Sequence, residues 1–151
     1  MHRAAPLVLS AALLAACATP PPFEPATAPP PAAAAPAFDA ATLAGSIWIA
    51  EEIRGIRVVP DLQAKLQFAS TTEVAGFGSC NSFGGPARVD GDRVAFGPLA
   101  QTRKACAEAA MVQEARYLGA LTATRSARLE NGRLVLLDQD GRAVLLFGRG
   151  E

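Results

Sequence analysis

Short apolar stretches separated by turn residues dominate the chain after residue 39. In Lys65-Leu66-Gln67-Phe68, polar and apolar residues alternate, which is the period of a strand with one buried face. Comparable stretches recur, and residues that favour turns lie between them. The pattern predicts a mostly antiparallel sheet, with strands at residues 46–50 (extending toward Ile53), 65–68, 73–77, 87–89, 93–96, 128–129, 134–137 and 143–147.

Three of the intervening turns indicate which strands are neighbours. Asp90-Gly91-Asp92 predicts a hairpin between the strands at 87–89 and 93–96. Asn131-Gly132 predicts a second hairpin, because Asn-Gly between two apolar runs is the strongest short-range hairpin signal. Gln139-Asp140-Gly141 then turns the chain into the last strand.

One segment breaks the strand pattern. Residues 107–122 contain no Pro and are rich in helix-forming residues. Met111, Tyr117, Leu118 and Leu121 recur at helical spacing, which predicts one amphipathic helix lying on the sheet. We interpret this stripe as core; the alternative is that Met111 and Tyr117 line a ligand site.

The amino-terminal segment has a different pattern. A basic start at His2 and Arg3 precedes an apolar run from Ala4 to Ala16, which is typical of a secretory signal. The run is shorter than the roughly 20 residues that span a bilayer, which argues against a transmembrane anchor. Leu14-Ala15-Ala16-Cys17 resembles the lipobox of bacterial lipoproteins, although an ordinary cleaved signal is the alternative.

The lipobox resemblance implies that residues 1–16 are a lipoprotein signal peptide and that Cys17 is the lipid attachment site. Ala18 and Thr19 follow, whereas lipoproteins kept at the inner membrane often carry Asp there. The resemblance therefore implies a lipid-anchored protein on the periplasmic face of the outer membrane. The Pro- and Ala-rich residues 17–38 are predicted to be a spacer that reaches on the order of 60 Å as polyproline II, and residues 39–151 are predicted to form the domain.

Charge and composition exclude several function classes. The chain carries 14 Lys and Arg against 14 Asp and Glu, with no basic stripe, so nucleic acid is not an expected partner. Its one histidine is His2, within the predicted signal. Without it, a Ser-His-Asp triad, a Cys-His nucleophile and an imidazole-based metal site are all impossible. We therefore expect no enzymatic activity, no cofactor and no metal.

The remaining chemical signals are weak. Glu51 and Glu52 are adjacent on a predicted strand, so they point to opposite faces and cannot flank one glycosidic bond. The segment starting at Asp138 begins like a calcium loop, but its sixth and twelfth residues are Ala143 and Arg149. A hairpin turn explains this segment better.

Two cysteines lie in the domain. An even number of cysteines in an exported chain indicates a disulfide, here between Cys80 and Cys106. A redox-active pair is the alternative, but Cys-x-x-Cys spacing and an activating histidine are both missing. We expect the pair to be structural.

The sequence around the cysteines resembles a known family. Gly78-Ser79-Cys80-Asn81-Ser82-Phe83-Gly84-Gly85 is similar to the Gly-Cys-Asn-x-Phe-x-Gly signature of the META/HslJ domain. Residues 96–106 are similar to its second block, which ends in Thr-x-x-Ala-Cys. The resemblance implies a mainly β fold, a small antiparallel barrel-like sheet with one helix. It also implies an envelope protein linked to heat-shock and antibiotic-tolerance phenotypes, with no established enzymatic activity.

The signature also suggests roles for individual residues. We expect Cys80-Asn81 to be a shaped corner tied to the chain before the helix, and Asn81, Phe83 and Gly85 to form a motif loop. The amide of Asn81 is expected to bond neighbouring backbone groups. The signature glycines are expected to permit tight bends and positive φ; they are Gly76, Gly78, Gly84 and Gly85. The alternative is that this loop binds a ligand.

Three positions depart from the family pattern. Ser79 stands where the family usually has Gly, and Ala87 stands where an aromatic residue is common. Arg103-Lys104 replaces a more apolar pair. None of these changes removes a turn glycine or a cysteine, so the fold prediction stands.

The expected function is that of a non-enzymatic outer-membrane lipoprotein that supports envelope integrity or stress and antibiotic tolerance. Its expected partners are the membrane, through the lipid, and an envelope protein. The alternative function is a binding module for a small apolar ligand, since a small barrel can hold one such molecule. That alternative is based on the strand aromatics Trp48, Phe68, Phe77, Phe96 and Phe147.

Overall fold

The computed structural model describes residues 40–151. The predictions for the signal peptide, for lipid attachment at Cys17 and for the spacer at 17–38 lie outside the described residues. No helix in the part of the chain that the structure describes has the length and apolar character needed to cross a bilayer.

Strands account for most of the described elements. In chain order the helices and strands are α1 (Ala40–Leu43), β1 (Ile47–Ile53), β2 (Ile56–Arg57), β3 (Lys65–Phe68), β4 (Glu73–Phe77), β5 (Ser82–Asp90), β6 (Arg93–Phe96), β7 (Ala100–Gln101), α2 (Glu108–Ala123), β8 (Ser126–Glu130), β9 (Arg133–Leu137) and β10 (Ala143–Arg149).

Eight of these strands close into an antiparallel barrel. Its order is β1, β3, β4, β5, β6, β8, β9 and β10, and β10 pairs back to β1 from Trp48 opposite Arg149 to Ile53 opposite Leu145. The two-residue strands β2 and β7 pair with β1 and β5 outside this ring. The prediction of a mainly β fold with a small antiparallel barrel and one amphipathic helix is confirmed.

The barrel interior is a packed core. Trp48, Leu66, Phe68 and Phe147 alternate with exposed or half-buried neighbours on their strands and are almost fully buried. Of the strand aromatics, only Phe77 is half-exposed. The buried aromatic side chains therefore belong to the hydrophobic core of the barrel.

Two turn predictions are confirmed in detail. Asn131 and Gly132 both have positive φ, 51° and 78°, as a two-residue type I′ hairpin turn requires. Between β9 and β10, Asp138 Oδ1 accepts the backbone N–H groups of Arg142 and Asp140 at 3.0 and 2.9 Å. The hydrogen bond from Arg142, followed by that from Asp140, lowers the pKa of the Asp138 carboxyl. This carboxylate stabilises a hairpin turn, which is the interpretation favoured over a calcium loop.

Helix α2 lies where the sequence predicts a helix, but its buried face differs from the expected one. Tyr117 and Leu121 are in the core, whereas Met111 is 48% exposed and Leu118 is only half-buried. The assignment of Met111 to the core is therefore wrong. The buried positions are instead Ala110, Gln113, Glu114, Tyr117, Ala120 and Leu121. The buried face differs from the expected one because the polar side chains of Gln113 and Glu114 point inward and hydrogen-bond to loops of the barrel.

Candidate functional site

The family signature forms a tight corner between β4 and β5, at residues 78–81, which we call the cysteine corner. Its backbone closes on itself, since the N–H of Gly78 donates to the carbonyl of Asn81 at 2.8 Å. A disulfide joins Cys80 to Cys106, which is two residues before α2, with the two Cα atoms 6.0 Å apart. The structure therefore contains the expected bond between the corner and the chain before the helix.

A buried carboxylate on α2 holds the cysteine corner from the other side. Glu114 Oε2 accepts the backbone N–H groups of Cys80 at 3.1 Å and of Asn81 at 2.5 Å. Glu114 Oε1 accepts the side-chain amide of Asn81 at 2.8 Å. Three N–H donors converge on one carboxylate, and hydrogen bonds to a charged acceptor are stronger than those between neutral groups.

The side chain of Asn81 links the cysteine corner to a third segment. Its Oδ1 accepts the hydroxyl of Thr102 at 2.8 Å and the backbone N–H of Lys104 at 2.7 Å. Since its Nδ2 donates to Glu114, both ends of the amide are occupied. The expected role of Asn81, bonding through its amide, is seen here, and its partners include a helix side chain as well as backbone.

The neighbouring helix residue Gln113 holds a second loop. Its Oε1 accepts the backbone N–H of Val59 at 2.8 Å, and its Nε2 donates to Ser79 Oγ at 2.8 Å and to the carbonyl of Leu62. Ser79 Oγ in turn donates to the same carbonyl at 3.1 Å. The loop at 59–62 and the cysteine corner are thus fixed to one turn of α2.

Positive φ occurs at Ser79 and not at the signature glycines. Ser79 has φ +97°, while Gly76, Gly78, Gly84 and Gly85 are all outside the left-handed region. The expectation of positive φ at these four glycines is therefore wrong. Ser79 occupies the family's usual Gly position, and this backbone conformation is one that glycine adopts without steric cost.

Close approach explains most of the signature glycines. A Cβ on Gly78 would lie 2.7 Å from Glu114 Cγ, and one on Gly85 would lie 2.6 Å from the carbonyl oxygen of Pro98. A Cβ on Gly76 would overlap the carbonyl of Lys65 and the ring of Phe83. These positions need a residue without a side chain because other groups already occupy the space.

Phe83 and Gly85, expected in a motif loop with Asn81, lie on strand β5 instead. The ring of Phe83 is buried and packs against Tyr117 of α2, with 5.9 Å between ring centroids. Only Asn81 lies in the corner itself. The signature therefore spans a corner and the start of a strand, and Phe83 anchors that strand to the helix.

The chemistry available at the cysteine corner is limited by these contacts. Both sulfurs form the disulfide, and the polar side-chain atoms of Asn81, Gln113 and Glu114 bond to protein groups. Among residues 40–151, no cluster of three or more His, Cys, Asp and Glu side chains has the arrangement that holds a metal ion. The corner is therefore a structural junction of the sheet, the helix and two loops.

A family model described as the META domain matches residues 41–151, which include the barrel, the cysteine corner and α2. The chain belongs to the META domain family. The signature that carries the resemblance in the sequence thus includes the cysteine corner, which joins the sheet of this META domain to α2.

Two solved structures share the META domain fold of this chain. One is an NMR structure of a protein from Burkholderia xenovorans, which is 26% identical in sequence and has a TM-score of 0.57. The match covers 84% of this chain and 99% of the Burkholderia chain. A second NMR structure is 20% identical, with a TM-score of 0.59, and covers 73% of this chain and 93% of that one. No curated protein matches the chain in sequence.

Sequence reasoning missed the roles of Gln113 and Glu114. A signal for them was present, because the spacing 110, 113, 114, 117, 120 and 121 is that of one helix face. Two polar residues in the middle of an otherwise apolar stripe indicate buried acceptors and donors with specific partners. In the META domain those partners are the cysteine corner and the loop at 59–62.

Proposed function

We propose that this META-domain protein is a non-enzymatic lipoprotein of the outer membrane that supports envelope integrity, or tolerance of stress and antibiotics, through contacts with other proteins. The observation that carries the proposal is the internal use of the family signature. Cys80, Asn81 and Phe83 form the disulfide, the hydrogen bonds and the packing that hold the domain together. Because these signature residues already contact groups within the domain, contacts with other proteins would be made by its outer surface.

The lack of a histidine and of a free thiol in residues 40–151 supports a binding role. Residues 40–151 contain no histidine, and Cys80 and Cys106 are joined to each other. General base catalysis by imidazole and nucleophilic attack by a thiolate both need groups that this part of the chain does not offer. The proposal therefore rests on contacts and not on turnover.

The proposed location comes from the amino-terminal residues. Acylation of Cys17 would hold the chain at the membrane, and multiple acyl chains anchor firmly where a single chain does not. The spacer at 17–38 would let the domain reach partners on the order of 60 Å from the anchor. Both features suit a protein whose partners are other envelope components.

A deletion strain tests the proposal. We expect loss of the gene to increase sensitivity to heat or to large hydrophobic antibiotics, and we expect the wild-type chain to restore the parental phenotype. The matched control is Cys17→Ser, which keeps the domain but removes the acylated sulfur and is expected to restore little. A deletion strain that behaves like its parent under both stresses contradicts the proposal.

The alternative function, binding of a small apolar ligand, finds its support outside the barrel. A groove of about 840 Å³ lies on the outer face of the sheet, and its lining includes Ile47, Phe77 and Gln67. This volume is within the range of small-molecule sites, although its lining is mixed rather than mainly apolar. Native mass spectrometry of gently extracted protein tests it, and a mass equal to that of the acylated chain alone contradicts it.

A further inference from the structure

The exposed apolar side chains of the domain gather near one place. Four large hydrophobic residues are exposed in the described part: Ile56 (55%), Val59 (46%), Met111 (48%) and Val112 (43%). Three of them, Ile56, Val59 and Val112, line one cleft of about 210 Å³ between β2 and the first turns of α2. We call it the β2–α2 cleft. Singly scattered apolar residues are normal on a protein surface, whereas a group of them around one cleft is a candidate interaction site.

The two walls of the β2–α2 cleft are connected to each other. The backbone N–H of Val59, on one wall, donates to Gln113 Oε1 on the other at 2.8 Å. Ile53, which is 3% exposed, also lines the cleft and belongs to the barrel core. The cleft is therefore formed before any partner arrives, and binding does not have to order its walls.

The charged side chains of the β2–α2 cleft are both cationic. Arg57 and Arg116 line it, and no Asp or Glu does. Within residues 40–151, neither arginine forms an ion pair, although Glu52 lies opposite Arg57 in the β1–β2 register. An apolar cleft flanked by two unpaired guanidinium groups is complementary to an apolar group flanked by carboxylates.

We propose that the β2–α2 cleft is the docking site for an acidic segment of a partner protein. The segment inserts one aliphatic or aromatic side chain between Ile56, Val59 and Val112, and its carboxylates pair with Arg57 and Arg116. The proposal rests on the proposed function, since it names the surface through which the protein contacts occur.

The size of the cleft favours a protein segment over a free small molecule. Its 210 Å³ is below the roughly 300–1,000 Å³ of small-molecule sites. It suits the anchor of a protein interface, where one buried side chain and a few arginines supply most of the affinity.

Peptide titration of the full chain, made by its host and kept in mild detergent, tests the proposal. The probe is a short synthetic peptide with a central Leu-Phe pair flanked on both sides by Asp and Glu. We expect saturable binding that weakens with added salt and NMR shift changes centred on Ile56, Val59 and Val112. Two further probes are the same peptide with Asn and Gln in place of the acids, and a short-chain phosphatidylglycerol.

Paired variants of exposed residues locate the contact. Arg116→Glu and Val112→Ser are each expected to lower the peptide affinity about tenfold. Their controls are Arg88→Glu, an exposed arginine outside the cleft, and Met111→Ser, an equally exposed apolar residue beside Val112 that does not line it. The controls are expected to leave the affinity unchanged, and circular dichroism checks that every variant is folded.

Several results would overturn the proposal. The first two are a lack of saturable binding of the acidic peptide and equal binding of the uncharged peptide. The others are a loss of peptide affinity in the control variants as large as that in Arg116→Glu and Val112→Ser, and displacement of the peptide by phosphatidylglycerol. Complementation separates this proposal from the proposed function. If the Arg116→Glu chain restores the parental phenotype fully in the deletion strain, the cleft proposal alone is contradicted. If the deletion strain has no phenotype, the proposed function is contradicted, and the peptide titration then decides on the cleft.

Discussion

At Ser79, the backbone and the side chain have opposite effects on stability. Its φ of +97° is a conformation that costs a residue with a Cβ of order 1 kcal/mol or more. Its hydroxyl, however, donates to the carbonyl of Leu62 and accepts from Gln113. The departure from the family's usual glycine therefore exchanges backbone freedom for two side-chain hydrogen bonds.

Substitution of Ser79 by glycine and by alanine separates these effects. Alanine keeps the strained φ and loses both hydrogen bonds, so we expect Ser79→Ala to lower the free energy of unfolding by about 1–3 kcal/mol. Ser79→Gly loses the same bonds but relieves the backbone, and we expect it to be about 1 kcal/mol more stable than the alanine variant. Urea denaturation measures both; equal values for the two variants would mean that the backbone at this position carries no strain.

The hydroxyl of Tyr117 is buried without a hydrogen-bond partner among the described residues. Burial raises the pKa of this phenol well above its ordinary value. A raised pKa means that the unfolded chain releases the proton first. The free energy of unfolding is therefore unaffected by titration of this group below the unfolded pKa of about 10, and it falls as the pH rises from there through the folded pKa.

We expect Tyr117→Phe to raise the free energy of unfolding by about 1 kcal/mol, because the buried hydroxyl loses its hydrogen bonds to water on folding and gains no hydrogen bond in return. Tyr117 is the single tyrosine of the chain, so ultraviolet absorbance of tyrosinate reports on it alone. In an alkaline titration of the wild type, tyrosinate should appear together with unfolding. Its appearance in the folded protein near pH 10 would show that the ring is accessible to water.

At the scale of elements, α2 acts as a clamp as well as a core helix. Its amino-terminal cap, Ala107, makes no side-chain hydrogen bond. The disulfide at Cys106 ties the chain down just before this uncapped end. Gln113 and Glu114 then bind the loop at 59–62 and the cysteine corner one to two turns later. The start of the helix is therefore held by tertiary contacts and not by a local cap.

Removal of the charge at Glu114 tests this clamp. In Glu114→Gln the amide group directs N–H donors at a cluster of N–H donors, so at least one buried group loses its partner. We expect the free energy of unfolding to fall by about 2–3 kcal/mol. The matched control is Glu73→Gln, an exposed residue of strand β4, for which we expect a change within about 0.5 kcal/mol. Similar values for the two variants would contradict the clamp.

The sequence predicts the elements better than the faces that they bury. Alternation and turn residues located most strands at least in part, because the period of two and the Asn-Gly and Asp-Gly pairs are local properties of the chain. The longest strand, β5, begins at Ser82, whereas the sequence predicted it only from residue 87. The buried face of α2 was misjudged because hydrophobicity favours Met111, whereas the partners of Gln113 and Glu114 are 33 to 54 residues away along the chain. The role of the signature glycines was misjudged for the same reason, since the groups that crowd Gly76 and Gly85 come from other segments.

At the scale of the whole molecule, the disulfide joins two segments that are 26 residues apart. Loop-closure entropy predicts that it stabilises the domain by about 3–4 kcal/mol. We expect the Cys80→Ala, Cys106→Ala double variant to unfold at a correspondingly lower urea concentration. Wild-type protein kept in reductant should approach the variant, while the variant itself should not respond to reductant. Wild-type stability that is the same with and without reductant would contradict the prediction.

Closure of the barrel between β1 and β10 has a consequence for incomplete chains. β10 pairs with both β1 and β9, so a chain truncated before residue 143 leaves each of these strands with one unpaired edge. Such edges are open to pairing with other chains. The barrel therefore closes only once β10 has been placed between β1 and β9, and its absence would favour association between chains.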